Sequence, residues 1–229
     1  MRKKRPGFFA LTYAVLLFLI LIIRIVYVYT VCDRILPDWF VFYRFTYLTN
    51  YIVLAWLVVF SICCLSKKEL NIEKILTKRC VSVSLALYTF LLFIYFIAGV
   101  IGGIIAFDGE GARLVFNILR RLFTYVFTPI VMWVCIFALK KNEIKKENKI
   151  KNSLIALIFP LVYFILNMVV GHTVYYGGGI RAFAYEVFDP SLYSWRLFVL
   201  GIALTAVLLF FVAVLINAIF EKIESKVVQ

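Results

Sequence analysis

The chain has 229 residues, 65% of them hydrophobic and only 16% charged, with a mean hydropathy of +1.00. A soluble domain of this length has too little interior to hide that much apolar surface, which excludes a water-soluble globular class. The formal net charge of +13 does not point to nucleic acid, because most of the lysines sit in short stretches between apolar runs, where they act as a topology signal.

Six apolar segments follow in chain order, approximately Phe8–Tyr29, Phe45–Leu65, Val81–Phe107, Leu122–Leu139, Leu154–Gly171 and Leu197–Phe220. At about 1.5 Å of rise per residue each can cross a hydrocarbon core roughly 30 Å thick. Lipid offers no partner to backbone groups, so the expected form is helical. The predicted fold class is therefore all-α: one polytopic domain with a bundle of six transmembrane helices. Arg2 to Arg5 precede the first run, but no small-x-small cleavage site follows it, so it reads as a retained span.

With six spans every lysine falls on one side: the N-terminus, the connections after segments two and four, and the C-terminus. The other side carries only arginines, among them Arg24, Arg34, Arg44, Arg113, Arg120 and Arg121. The positive-inside rule then predicts a multi-pass plasma-membrane protein with both termini cytoplasmic. Gly99 and Gly103 form a G-x-x-x-G pair in the third segment, which predicts close helix packing there. The last outer loop, His172 to Trp195, reads as a connector on the headgroups or as a lid.

The five cysteines, Cys32, Cys63, Cys64, Cys80 and Cys135, form no C-x-x-C pair and read as small apolar residues. With a single histidine, a multi-histidine metal site is impossible, and no metal or cofactor is expected. The spans hold no carboxylate, which counts against a proton-coupled transporter. They do hold other polar groups. Thr46, Thr49 and Asn50 share one face of the second helix. Asn117, Arg121, Thr124 and Thr128 form a stripe at i, i+4, i+7 and i+11. Arg24, Arg44, Asn167 and His172 sit near the same outer ends. Their convergence predicts a polar pocket facing the outer leaflet, with membrane lipids as partners. In the plainer alternative the arginines sit at headgroup level and the threonines return their hydroxyls to i−4 carbonyls.

Phe45-Thr-Tyr-Leu-Thr-Asn50 resembles the F-T-x-x-S-N start of the second helix in the bacterial Pr6Pr membrane family. Pro129, Phe159-Pro-Leu-Val-Tyr163 and Ala184-Tyr-Glu-Val-Phe-Asp189 resemble that family's later landmarks. The family is in turn distantly similar to the androgen-induced membrane hydrolases, which cleave lipid esters with an intramembrane threonine and histidine. That resemblance implies Thr46 as the nucleophile. The histidine it implies, four or five residues before Pro129, is here Tyr125 or Thr124. The base is then left to His172 on another helix. Three functions are therefore expected in order: an outer-leaflet pocket binding lipid or another amphiphile, a threonine-dependent lipid ester hydrolase, and a small-molecule transporter.

Overall fold

The computed structural model describes residues 4–31, 44–66, 73–76, 78–103, 110–139, 148–173, 189–192 and 194–228. Cys32, the end of the third expected span at 104–107, most of the lysine-bearing connections, and 174–188 of the loop read as connector or lid lie outside the described residues. Among the described residues there is no strand, and six helical stretches are long and apolar enough to cross a membrane. The protein is thus an all-α multi-pass membrane protein.

The helices are α1 (Lys4–Val31), α2 (Phe45–Leu65), α3 (Arg79–Ile101), α4 (Gly111–Arg121), α5 (Thr128–Leu139), α6 (Lys149–Ala156), α7 (Ile158–Thr173) and α8 (Trp195–Val228). A single turn, Glu73–Leu76, precedes α3. A π-helical segment, Leu122–Phe127, joins α4 to α5, so the fourth span is one rod from Gly111 to Ala138. The sequence reading started that span at Leu122. It missed α4, in which Arg113, Asn117, Arg120 and Arg121 break the apolar run.

Two of the irregularities trace to proline. Pro160 has no N–H to give the Ala156 carbonyl, and its ring crowds that carbonyl. The fifth span accordingly breaks at Leu157 between α6 and α7. Pro129 makes the same demand on Tyr125, and the wider π turn lies just before it. Asn148 starts α6 by accepting hydrogen bonds from the backbone N–H of Ile150 and Lys151 at 3.0 and 3.3 Å.

The core forms where α1 lies along α2 and where α3 packs against α5, the π segment and α6. Val53, Leu57, Phe60, Val83, Leu87, Met132 and Ile136 are fully buried in it. α1 and α2 approach closely at Gly7, where a Cβ would stand 2.6 Å from Cys64 Cβ. The G-x-x-x-G expectation is corrected at Gly103. That residue lies past the end of α3 with φ +68° and nothing within 4 Å of a Cβ, so it stops the helix rather than packing it. Gly99 is buried. The sixth span lies at the rim: 11% of its apolar window is buried, against 44% for the second and third.

Candidate functional site

The polar face of α2 is met by α1 and by the π region of the fourth span. Asn50 Nδ2 donates to the Thr46 carbonyl at 2.7 Å, and Thr128 Oγ1 donates to Asn50 Oδ1 at 3.1 Å. Tyr13, from the middle of α1, places its hydroxyl 2.9 Å from Thr128 Oγ1 and 2.9 Å from the Phe123 carbonyl. Each hydroxyl has one proton. Thr128 Oγ1 also lies 2.9 Å from the Phe123 carbonyl, so the Tyr13 and Thr128 protons are shared among Asn50 Oδ1, the Phe123 carbonyl and the two hydroxyl oxygens. That carbonyl also accepts the Thr128 N–H across the π turn. Three spans are thereby joined by a buried network that satisfies its own members.

Toward the arginine-bearing end the character changes. Arg24 Nε donates to the Tyr47 hydroxyl at 3.2 Å, and its guanidinium lies 5.5 Å from the centre of the Tyr27 ring. Arg113 approaches the same ring at 5.8 Å. The Thr46 and Tyr125 side chains are hydrogen-bonded to each other. Arg120 is only 9% exposed, and its Nε has no hydrogen-bond partner. Its electrostatic neighbours are Tyr47, Tyr125, Arg24 and Arg121. Among the described residues no carboxylate pairs with Arg24 or Arg120. The Tyr27 hydroxyl and Thr49 Oγ1 are also buried without a hydrogen-bond partner.

Comparison with family models, curated proteins and solved structures finds no match to this chain.

Of the residues singled out in the sequence, Arg24, Thr46, Asn50, Tyr125 and Thr128 enter the linked groups above. Thr124 takes the plainer role, its hydroxyl donating to the Arg120 carbonyl at 2.8 Å. Thr49 lies four residues after Phe45, whose ring packs on Phe159 and Tyr163 at 5.3 and 5.2 Å, so Thr49 faces the fifth span. Asn167 is fully buried, four residues after buried Tyr163. Arg44, Asn117 and Arg121 are half-buried.

Two expectations change. The stripe in the fourth span does not run through Arg121: Arg120, Thr124 and Thr128 are the buried residues, because a π turn resets the phase that α-helical counting assumes. His172 does not join Thr46. The inward stripe of α7 is Tyr163, Asn167 and Gly171, and His172 is rotated about 100° away by one residue, onto exposed surface. It also lies about 13 Å of helical rise beyond Tyr163, the residue that meets Phe45.

Sequence reasoning missed Tyr13, Tyr47 and Arg120. A signal for Tyr13 was present, since it lies eleven residues before Arg24, close to three full turns and so on nearly the same face. Arg79 follows the basic connection after the second span in sequence, yet it is not a loop charge. It is 4% exposed, donating through Nε to Asn217 Oδ1 at 2.7 Å and through a terminal nitrogen to the Asn217 carbonyl at 2.8 Å. Its guanidinium lies 5.5 Å from the centre of the Phe220 ring. Asn217 Nδ2 reaches the Lys149 carbonyl at 3.2 Å, and Lys149 pairs with Glu221.

Proposed function

We propose that this is a plasma-membrane protein, with both termini cytoplasmic, that binds the headgroup of a lipid or other amphiphile in an outer-leaflet pocket lined by Arg24, Thr46, Tyr47, Arg120 and Tyr125. The observation that carries the reading is a set of buried polar atoms with no hydrogen-bond partner among the described residues, Arg120 Nε, the Tyr27 hydroxyl and Thr49 Oγ1, beside the network that joins Tyr13, Asn50 and Thr128. Buried polar groups are normally hydrogen-bonded, so a bare guanidinium nitrogen inside a membrane protein calls for an explanation, and a bound anionic headgroup supplies one. The orientation rests on the lysine asymmetry. Membership of the Pr6Pr family rests on the motifs from Phe45 to Asp189 and belongs to the same proposal.

Hydrolysis is less well supported. The hydroxyl of Thr46 pairs with the phenol of Tyr125, and His172 lies elsewhere. Neither arrangement supplies a general base within about 3 Å of the hydroxyl. Transport is less well supported too. Past Asn50 and Thr128 the bundle is plugged by Val53, Leu57, Phe60, Met132 and Ile136, each at most 1% exposed.

Lipid mass spectrometry on the purified protein tests the reading. A retained amphiphile near one per chain is expected, with loss on Tyr47→Phe combined with Thr46→Val. Protein that releases none under native conditions overturns it. An impermeant thiol reagent on intact cells should label Cys32 and spare Cys80; the reverse pattern overturns the orientation.

A further inference from the structure

We infer that the pocket takes a phosphate group, held by the guanidinium of Arg120 with Arg24 and the Tyr47 hydroxyl beside it; the inference rests on the headgroup-binding reading above.

The first argument is charge. A guanidinium carries its positive charge in any ordinary protein setting. Burying one without a counter-ion is strongly unfavourable. Arg120 is more than nine-tenths buried, and among the described residues the charged side chains it feels are two further cations, Arg24 and Arg121. A site with that composition repels itself when empty and is relieved by an anion.

The second argument is the kind of anion. Nε and the terminal nitrogens of arginine present donors along a planar edge that match two oxygens of a carboxylate or phosphate. A carboxylate has only those two oxygens and one charge. Here Arg24 and Arg121 stand with the hydroxyl groups of Tyr47 and Tyr125 around Arg120, more donors than a carboxylate can use. A phosphate has three or four oxygens and tolerates a higher density of positive charge. A phosphate of this kind can come from a phospholipid headgroup or from the free ion, and the outcomes below separate the two sources.

The contrast with Arg79 guards against reading any buried arginine this way. Arg79 is as deeply buried, yet it has the Asn217 side chain and backbone as acceptors. Arg120 Nε has none.

The test uses the full chain in a neutral sugar detergent, with bound lipid counted by native mass spectrometry and unfolding followed by temperature. The probes are phosphatidic acid, diacylglycerol with the same chains, and inorganic phosphate. Phosphatidic acid should be retained about tenfold more than diacylglycerol, the usual scale of a charge-assisted hydrogen bond. Arg120→Met should remove that preference and raise the unfolding temperature of the lipid-free protein, because it deletes an uncompensated cation. A merely structural arginine would lower that temperature when replaced. Arg120→Lys should keep part of the preference, and it carries the test if the methionine variant does not express.

Equal retention of phosphatidic acid and diacylglycerol overturns the phosphate inference and leaves the amphiphile reading standing. Retention of neither lipid, with no effect of phosphate, overturns both. Stabilisation of native protein but not Arg120→Met by inorganic phosphate alone supports the phosphate inference and transfers it from lipid to the free ion. Unaltered selectivity in Arg120→Met overturns the assignment to Arg120.

Discussion

The two ends of this bundle each bury an arginine, and they do so differently. At the lysine-bearing end Arg79 spends its donors on Asn217, lies against Phe220, and sits beside a Lys149–Glu221 pair that closes the same corner. At the arginine-bearing end Arg120 keeps a bare Nε among further cations. Burial alone therefore does not separate a structural arginine from a receptor. The count of acceptors does: a guanidinium with its acceptors supplied clamps helices together, and one without them is the feature that the proposed anion site accounts for.

The comparison breaks most directly at Arg79. Replacing it with alanine removes two charge-assisted hydrogen bonds and strands Asn217, so a loss of about 3 kcal/mol is expected, read from unfolding in detergent micelles. Lipid retention at the far end should be unchanged. If Arg79→Ala is as stable as the native chain, the clamp does not exist and the two arginines are alike. The next effect belongs to Gly7, which lets α1 and α2 close at the same end. Gly7→Ala drives a methyl group into Cys64 Cβ and should cost about 1–3 kcal/mol through overpacking. A neutral Gly7→Ala would mean that the helices separate there without penalty.

Thr128→Val sharpens the comparison from the other side. The shape is kept, but Asn50 Oδ1 loses its donor and Tyr13 loses a partner. The expected loss is about 1–2 kcal/mol, with the Arg120 site still selecting anions if the network and the receptor are separate. Loss of lipid selectivity in Thr128→Val would join them. The smallest effect is at Lys149, whose pair with Glu221 is partly exposed. Lys149→Ala should cost about 0.5 kcal/mol and less in high salt. A larger value would make the ion pair, not Arg79, the main tie at that corner.

How much of this could be read from the sequence follows the same divide between pattern and partner. The six spans were legible because apolar length is a one-dimensional quantity; the second agrees at both ends, while the third helix ends at Ile101 and the fifth span starts at Lys149. The fourth span differs more, because α4 is amphipathic and the π turn shifts phase, and neither shows in an apolar run. Thr46, Asn50 and Thr128 were legible as polar groups with no reason to be in lipid. Tyr13 was not, because tyrosine passes as apolar in a hydrophobic run and its hydroxyl matters only once Thr128 is opposite. Arg120 and Arg121 are adjacent, and only the phase of the helix decides which one is buried. Arg79 looked like one more loop charge because its partner Asn217 is 138 residues away. His172 was favoured for its chemistry, while the inward face of α7 passes through Gly171.

The sixth span has a mechanical consequence. Val199, Leu200, Leu204, Val207 and Leu208 are all exposed, and Gly201 has nothing within 4 Å of a Cβ, whereas Ala213, Ile216, Asn217 and Phe220 are buried. The helix is gripped around Asn217, faces outward from Val199 to Leu208 at the positions named, and rests at its first turn through Phe198 on Phe164. Its apolar length from Leu197 to Phe220 is about 36 Å by helical rise, longer than a hydrocarbon core of about 30 Å. Tilting is the way such a rod fits, and the grip around Asn217 is the pivot. Bilayer thickness therefore sets the angle of α8 while leaving the five-span core in place. Spin labels at Leu200 and Val100 should move closer or farther apart as acyl chains are lengthened, and labels at Leu215 and Val83 should not.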